Sequence, residues 1–185
     1  MWNITREKTH ATDYTNASRT LLFNIKDLKW DSDLLKLFGV SKEILPDVRL
    51  SKSDYGTTHA NLIGIPLPVK VVCGDQQSSM FAVGTKIGST KVTYGTGTFM
   101  MQVVGKKFVH RDPFFTTLVP GPRGPLYALE GKIDCCAKKV DILLAQHKNL
   151  NPTIRALAKN VDKYIRRFPK NPSVLIVDGG LTQAK

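Results

Sequence analysis

At 185 residues, with 42% hydrophobic and 23% charged side chains, the chain is long enough for one ordinary domain or parts of two, and too apolar to be disordered. No stretch approaches the roughly 18 uncharged apolar residues of a membrane span, and Met1-Trp2-Asn3-Ile4-Thr5-Arg6-Glu7-Lys8 lacks the apolar centre of a signal peptide. The net charge of +12 is lopsided: 10 basic and 9 acidic side chains lie up to Gly84, against 17 and 6 from Thr85 onward.

Such asymmetry can mark a nucleic-acid or membrane-surface partner. The basic residues are scattered, however, with pairs at Lys138-Lys139 and Arg166-Arg167 but no long run and no interleaved aromatics. A solvated lysine-rich face is therefore expected, and nucleic acid is not expected as a partner. Three cysteines, two of them adjacent (Cys135, Cys136), form neither a disulfide framework nor a CxxC zinc pattern. The cytoplasm is the expected compartment.

In chain order, Trp2 and Ile4 are expected to close a buried element. Thr12-Asp13 offers a helix N-cap, with Leu21, Leu22 and Ile25 on the apolar side of a short helix from about Tyr14. Asp31-Ser32-Asp33 caps a second helix, with Leu34, Leu35, Leu37 and Phe38 inside and Gly39 as its stop. A short turn from Ser41 to Leu45 ends at Pro46, and Asp47 to Leu67 is expected to be polar loop. Val69-Lys70-Val71-Val72-Cys73 reads as a buried strand ending in Gly74-Asp75. Gln76 to Gly84 has helical character.

Lys91 to Tyr94 and Phe99 to Val104 are strand-like runs joined around Gly95-Thr96-Gly97-Thr98, a hairpin with a permissive turn. A Pro/Gly-rich loop from Pro113 to Pro125 leads to a short strand, Leu126 to Leu129. Helices are expected from Glu130 to about Gln146 and from Pro152 to about Phe168; the second carries Ile154, Leu157, Ala158, Val161 and Ile165 at helical spacing. Ser173 to Val177 reads as a buried strand turning at Asp178-Gly179-Gly180.

Three segments can carry chemistry. Asp75, beyond the end of an apolar strand, can act as a general base, with the amides of Gln76 and Gln77 beside it for hydroxyl groups; an Asx turn is the plainer alternative. The glycines of Tyr94-Gly95-Thr96-Gly97-Thr98 let backbone N–H groups approach a phosphate, with threonine hydroxyls as further donors; a simple β-turn is the alternative. Val177-Asp178-Gly179-Gly180 suits close approach to a nucleotide, or is a plain turn.

Together with Thr12-Asp13-Tyr14-Thr15-Asn16-Ala17-Ser18-Arg19-Thr20-Leu21-Leu22-Phe23-Asn24-Ile25, these segments resemble the glycerol kinases of the FGGY sugar-kinase family. The likeness runs in family order through Leu45-Pro46-Asp47-Val48-Arg49, Tyr55-Gly56, Gly64-Ile65-Pro66, Gly74-Asp75-Gln76-Gln77, Tyr94-Gly95-Thr96-Gly97 and Tyr127-Ala128-Leu129-Glu130-Gly131. It fades from about Lys132 and returns at Val177-Asp178-Gly179-Gly180. The resemblance implies an α/β, actin/ribonuclease-H-like FGGY fold, incomplete, with residues 1–84 from the first domain and 85–185 from a shortened second one.

It further implies ATP-dependent phosphorylation of glycerol to glycerol 3-phosphate, with Mg²⁺ on the phosphates. Asp75 stands where the family's catalytic base stands, Gln76 where an amide contacts a glycerol hydroxyl, and Phe99 where an aromatic ring packs on the glycerol carbons. Gly95 and Thr96 fall on the phosphate side of the nucleotide and Gly180 against the adenosine. Two positions depart from the pattern: Ala137 replaces a nucleotide-contacting Gly, and Ala184 an adenine-side Asn. The Thr15-Asn16-Ala17-Ser18-Arg19-Thr20 stretch is expected to be structural, in local capping and domain packing.

The family's phosphate hairpin, its magnesium-holding Asp and its Arg-Glu pair have no counterpart before Trp2. The chain alone is thus expected to be inactive, with a complementary kinase fragment or a homo-oligomer as possible partners. A non-catalytic kinase remnant, an interaction protein, or a kinase for another sugar or polyol are the alternatives.

Overall fold

The structure, a computed structural model, describes residues 1–94, 97–133, 159, 161–163 and 165–178. It divides into two units: Met1–Phe81 with Thr117–Pro125, and Ala82–Thr116 with Leu126–Lys185.

Unit 1 is built from short elements tied by polar bonds. Strand β1 (Ala11–Asp13) runs directly into helix α1 (Tyr14–Ala17) and pairs in parallel with β4 (Asp47–Arg49), Thr12 opposite Val48. Asp13 caps α1 as the sequence suggests, accepting from the backbone N–H groups of Thr15 and Asn16. The longer helix expected to reach Ile25 does not form. Ser18 and Thr20 hydroxyls bond back to Thr15 O and Ala17 O at 2.7 and 2.8 Å, and Leu21 takes a left-handed φ of 63°; such side-chain bonds compete with helix continuation. Leu21 is consequently exposed, while Phe23 of β2 (Phe23–Asn24) is buried, edge-on to Tyr14 and to Trp30 of β3 (Lys29–Trp30).

Helix α2 (Ser32–Phe38) begins and ends as expected, with Asp31 accepting from Asp33 and Leu34 N–H and Gly39 in the left-handed conformation at φ 65°. Of its four leucine and phenylalanine residues expected inside, only Leu35 is buried; Leu37 and Phe38 are exposed. A two-turn surface helix turns only one narrow side inward. Lys42–Ile44 forms the expected turn.

Three further expectations are corrected in unit 1. Trp2 and Ile4 are exposed on a short 3₁₀ turn, Asn3–Thr5. The expected loop from Asp47 contains β4 and a short helix α3 (Ala60–Ile63). Val69 to Cys73 is extended but is not a regular buried strand: Val71 is exposed and bridges Lys52, and Val69 and Val72 donate to Gly56 O and Ser51 O. Helix α4 (Asp75–Val83) follows, with Gln77 and Met80 buried and Phe81 exposed.

Unit 2 is organised on a sheet. Strands β5 (Ser89–Tyr94), β6 (Thr98–Gly105), β8 (Leu126–Ile133) and β9 (Val174–Asp178) stand in the order β8-β6-β5-β9, and β7 (Phe115–Val119) has its last three residues in unit 1. The expected β5–β6 hairpin is present, with Thr93 opposite Phe99 and Tyr94 opposite Thr98; its turn residues Gly95 and Thr96 lie outside the described residues. Strand β7 occupies part of the expected Pro/Gly loop, because Phe115-Thr116-Thr117-Leu118-Val119 is a run of β-forming residues. Glu130 to Ile133 is strand rather than helix, since β8 keeps pairing with β6 through Met101–Glu130 and Met100–Gly131.

Val92, Met100, Phe114, Leu129, Val161 and Phe168 form the unit's core, and the rings of Phe114 and Phe168 stack at 4.4 Å. Val161 and Ile165 thus face inward as their spacing suggests; Ile154, Leu157 and Ala158, and the expected helix beyond Ile133, lie outside the described residues. Strand β9 pairs in parallel with β5. Contrary to expectation its side chains from Val174 to Val177 are exposed, the strand being the last in the sheet order. Among the described residues no helix is long and apolar enough to cross a membrane.

Candidate active site

The segment singled out for acid–base chemistry begins where the extended stretch ends. Gly74 O accepts from Ser78 N–H at 2.8 Å, the first bond of α4. Asp75 is therefore the first helical residue, exposed to solvent, and its Oδ1 accepts from Gln76 N–H at 2.6 Å. Gln76 is half-buried next to it. Gln77 instead turns inward, 3% exposed, and donates from Nε2 to Thr117 Oγ1 at 3.4 Å. Gln77 folds back over Gly74 so closely that a Cβ there would lie 2.6 Å from its Oε1. Glycine leaves the room that the inward amide uses.

Behind this segment lies a polar cluster, of which the sequence shows only the helix cap at Asp13. Asp13 is fully buried. Its Oδ2 accepts from Thr15 Oγ1 at 2.8 Å, Ser51 Oγ at 2.6 Å and Thr15 N–H at 3.2 Å. Its Oδ1 accepts from Asn16 Nδ2 at 2.6 Å and Asn16 N–H at 3.1 Å. A buried carboxylate is tolerated only with such partners. Thr15 Oγ1 in turn accepts from Gly74 N–H at 2.9 Å and stands 3.8 Å from Cys73 Sγ.

Burial pushes the Cys73 thiol up, the Asp13 charge adds to the rise, and the Thr15 hydroxyl partly offsets it. Tyr55, wholly buried, donates its hydroxyl to Leu50 O at 2.9 Å and Thr12 O at 3.3 Å. Burial and the same carboxylate raise its phenol well above the usual tyrosine range. No local pattern marks Ser51 or Tyr55 as partners of residues 12 to 15. The one local signal is Asp13 followed by hydroxyl side chains, a pattern that a helix cap also explains.

Phe99 lies in unit 2, on β6, partly exposed between Thr98 and Met100, which are both buried. Its ring has Lys132 Nζ at 5.9 Å from the centroid, a distance at which a cation is attracted to the ring face. Gly95, Thr96, Ala137, Gly180 and Ala184 lie outside the described residues. Asp75 and Gln76 are thus neighbours on one helix of unit 1, and Phe99 belongs to the sheet of unit 2. Among the described residues no three His, Cys, Asp or Glu side chains are grouped as metal ligands.

Comparison with known proteins gives a consistent set of likenesses. Residues 1–82 match the N-terminal domain of the FGGY family of carbohydrate kinases. The glycerol kinase of Alkaliphilus oremlandii is 40% identical over 181 residues, 96% of this chain and 35% of that enzyme. That of Thermococcus gammatolerans is 48% identical over 126 residues, 67% of this chain and 26% of the enzyme. The chain therefore spans about a third or less of the length of these curated relatives. Among solved structures, Plasmodium falciparum glycerol kinase with ADP superposes with a TM-score of 0.84 at 25% identity, covering 100% of this chain and 49% of that one. The α/β architecture is accordingly part of an actin/ribonuclease-H-like fold.

Proposed function

Since the chain belongs to the FGGY family of carbohydrate kinases, we propose that it supplies the catalytic-base segment of a kinase that phosphorylates glycerol with ATP. Asp75 is the base. A glycerol hydroxyl gives its proton to the Asp75 carboxylate as its oxygen attacks the γ-phosphorus. The bond from that phosphorus to the bridging oxygen breaks, and ADP leaves with the electron pair and its magnesium. Such a transfer needs positioning and charge stabilisation more than covalent chemistry from the protein.

The observation that carries this reading is the state of Asp75. Its carboxylate is exposed at the start of α4, yet one oxygen is fixed by Gln76 N–H. A base must be reachable by its substrate and held in direction, and those two conditions are met together here. The half-buried Gln76 amide is assigned to a second glycerol hydroxyl and the Phe99 ring to the carbon chain. Gly95 and Thr96 are assigned to the phosphates and Gly180 to the adenosine, with Ala137 and Ala184 offering less to the nucleotide than the glycine and asparagine expected there.

The test replaces the matching third of the Alkaliphilus oremlandii relative with this chain and follows glycerol-dependent ADP release. Turnover is expected, and Asp75→Asn should lower kcat by about a hundredfold or more, the range of general-base catalysis. Turnover undiminished in Asp75→Asn would overturn the assignment. The 185-residue chain alone is expected to give no turnover above background.

A further inference from the structure

Thr15 and Asp13 stand far from Asp75 in sequence, and nothing in the phosphoryl transfer requires them to touch substrate. Their geometry nevertheless meets the segment that bears the base. A carboxylate offers only acceptors, so every polar atom facing Asp13 must donate. Five donors do so, and the Thr15 hydroxyl at 2.8 Å is one of them. Its proton is thereby committed to Asp13, in preference to the sulfur of Cys73 at 3.8 Å. With the proton fixed on one side, its lone pairs are left to accept, and Gly74 N–H lies at 2.9 Å.

We infer that the Asp13 carboxylate, acting through the oriented Thr15 hydroxyl, is a positioning device for Gly74 and hence for the catalytic base Asp75. The inference rests on the assignment of Asp75 as base. The chain of bonds has a defined direction: Asp13 orients Thr15, Thr15 holds the Gly74 amide, and Gly74 O receives the first turn of α4. Gly74 immediately precedes Asp75, so a shift of its amide moves the start of the helix. Ser51 Oγ, bonded to the same Oδ2 at 2.6 Å, fixes the carboxylate from a second stretch of chain. Positions behind a reacting group matter because misplacement by about 1 Å can cost a hundredfold in rate.

The test reads the Gly74 amide and the Asp75 carboxyl directly by NMR in the ¹⁵N,¹³C-labelled 185-residue chain. Thr15→Val keeps the shape of the side chain and removes the acceptor. It is expected to speed Gly74 amide exchange by about tenfold, the equivalent of one hydrogen bond, and to move the Asp75 ¹³Cγ resonance. Thr15→Ser, which retains the hydroxyl, should restore both. Leu35→Ala, in the buried position of α2, serves as the control for general loss of stability and should leave both signals in place.

Gly74 exchange unchanged in Thr15→Val would overturn the inference. So would acceleration without any movement of the Asp75 signal, or an equal acceleration in Leu35→Ala. None of these readouts depends on turnover. A wrong assignment of Asp75 shows instead as undiminished activity in Asp75→Asn, so the two failures are distinguishable.

Discussion

The two units have contrasting centres. Around Asp13, hydrogen bonds from Thr15, Asn16 and Ser51 converge on one buried carboxylate; in unit 2, Val92, Met100 and Leu129 from three strands pack with Phe114, Val161 and Phe168. Hydrogen bonds are directional, so the first arrangement fixes where particular atoms stand. Apolar burial is non-directional and scales with area, so the second fixes how much is gained by packing. The residue assigned to proton transfer is attached to the directional cluster. That is where exact placement is worth more than gross stability.

Breaking each centre should separate these contributions. Phe114→Ala removes a ring that is 3% exposed and stacked on Phe168, and should destabilise by about 4 kcal/mol in denaturant unfolding, as for other buried aromatic truncations. Asp13→Ala deprives five donors of their acceptor, which should cost about 3 kcal/mol by the same measurement. A cost under about 1 kcal/mol would mean that water or other groups replace the carboxylate, and the contrast between the units would lose its basis.

A smaller effect sharpens the comparison at the surface. Asp31 is held below the usual carboxylate range first by Leu34 N–H, then by the Asn24 amide, with Asp33 N–H and Lys29 adding to the effect. Because its folded-state value is depressed, its contribution is present above the unfolded value of about 3.9 and is lost as pH falls through the lower folded-state value. Thermal unfolding followed from about pH 7 to below about pH 3 should show a decline that Asp31→Ala makes shallower. An identical decline in that variant would place the acid sensitivity elsewhere.

How much of this was legible in the sequence differs between the units for the same physical reason. The β5–β6 hairpin, β8 and β9 were visible because strand-forming runs bounded by glycine carry their own signal. The α2 boundaries were visible because Asp31 and Gly39 are local cap and stop. In contrast, β1 and β4 are three residues each and are defined by pairing with each other across 36 positions of chain; neither contains enough alternation to be recognised. The helix from Tyr14 is shorter than its sequence suggests because Ser18 and Thr20 satisfy backbone carbonyls locally. Glu130 to Ile133 looked helical in isolation, and its pairing with β6 decided otherwise.

At the candidate site the split is similar. The place of Asp75 and Gln76 just after an apolar run is legible in the sequence, and the structure puts them at a helix start. The link from Thr15 to Gly74 spans 59 positions and leaves no pattern in either stretch. The Phe99 position was legible as part of a strand, while its approach to Lys132 follows from the β6–β8 register, which places the two residues opposite each other.

Trp30 has one more use. Its indole N–H donates to Pro46 O at 3.1 Å and its ring meets Phe23 edge-on at 5.4 Å. The only other tryptophan of the sequence is Trp2, edge-on to His10, and both belong to unit 1. Intrinsic emission excited at the red edge of the protein band is therefore a one-sided witness: it reports on the surroundings of the polar cluster's unit and carries no direct signal from the apolar sheet. Far-ultraviolet dichroism reads both units together, and a disagreement between the two traces is itself a measure of how independently the units unfold.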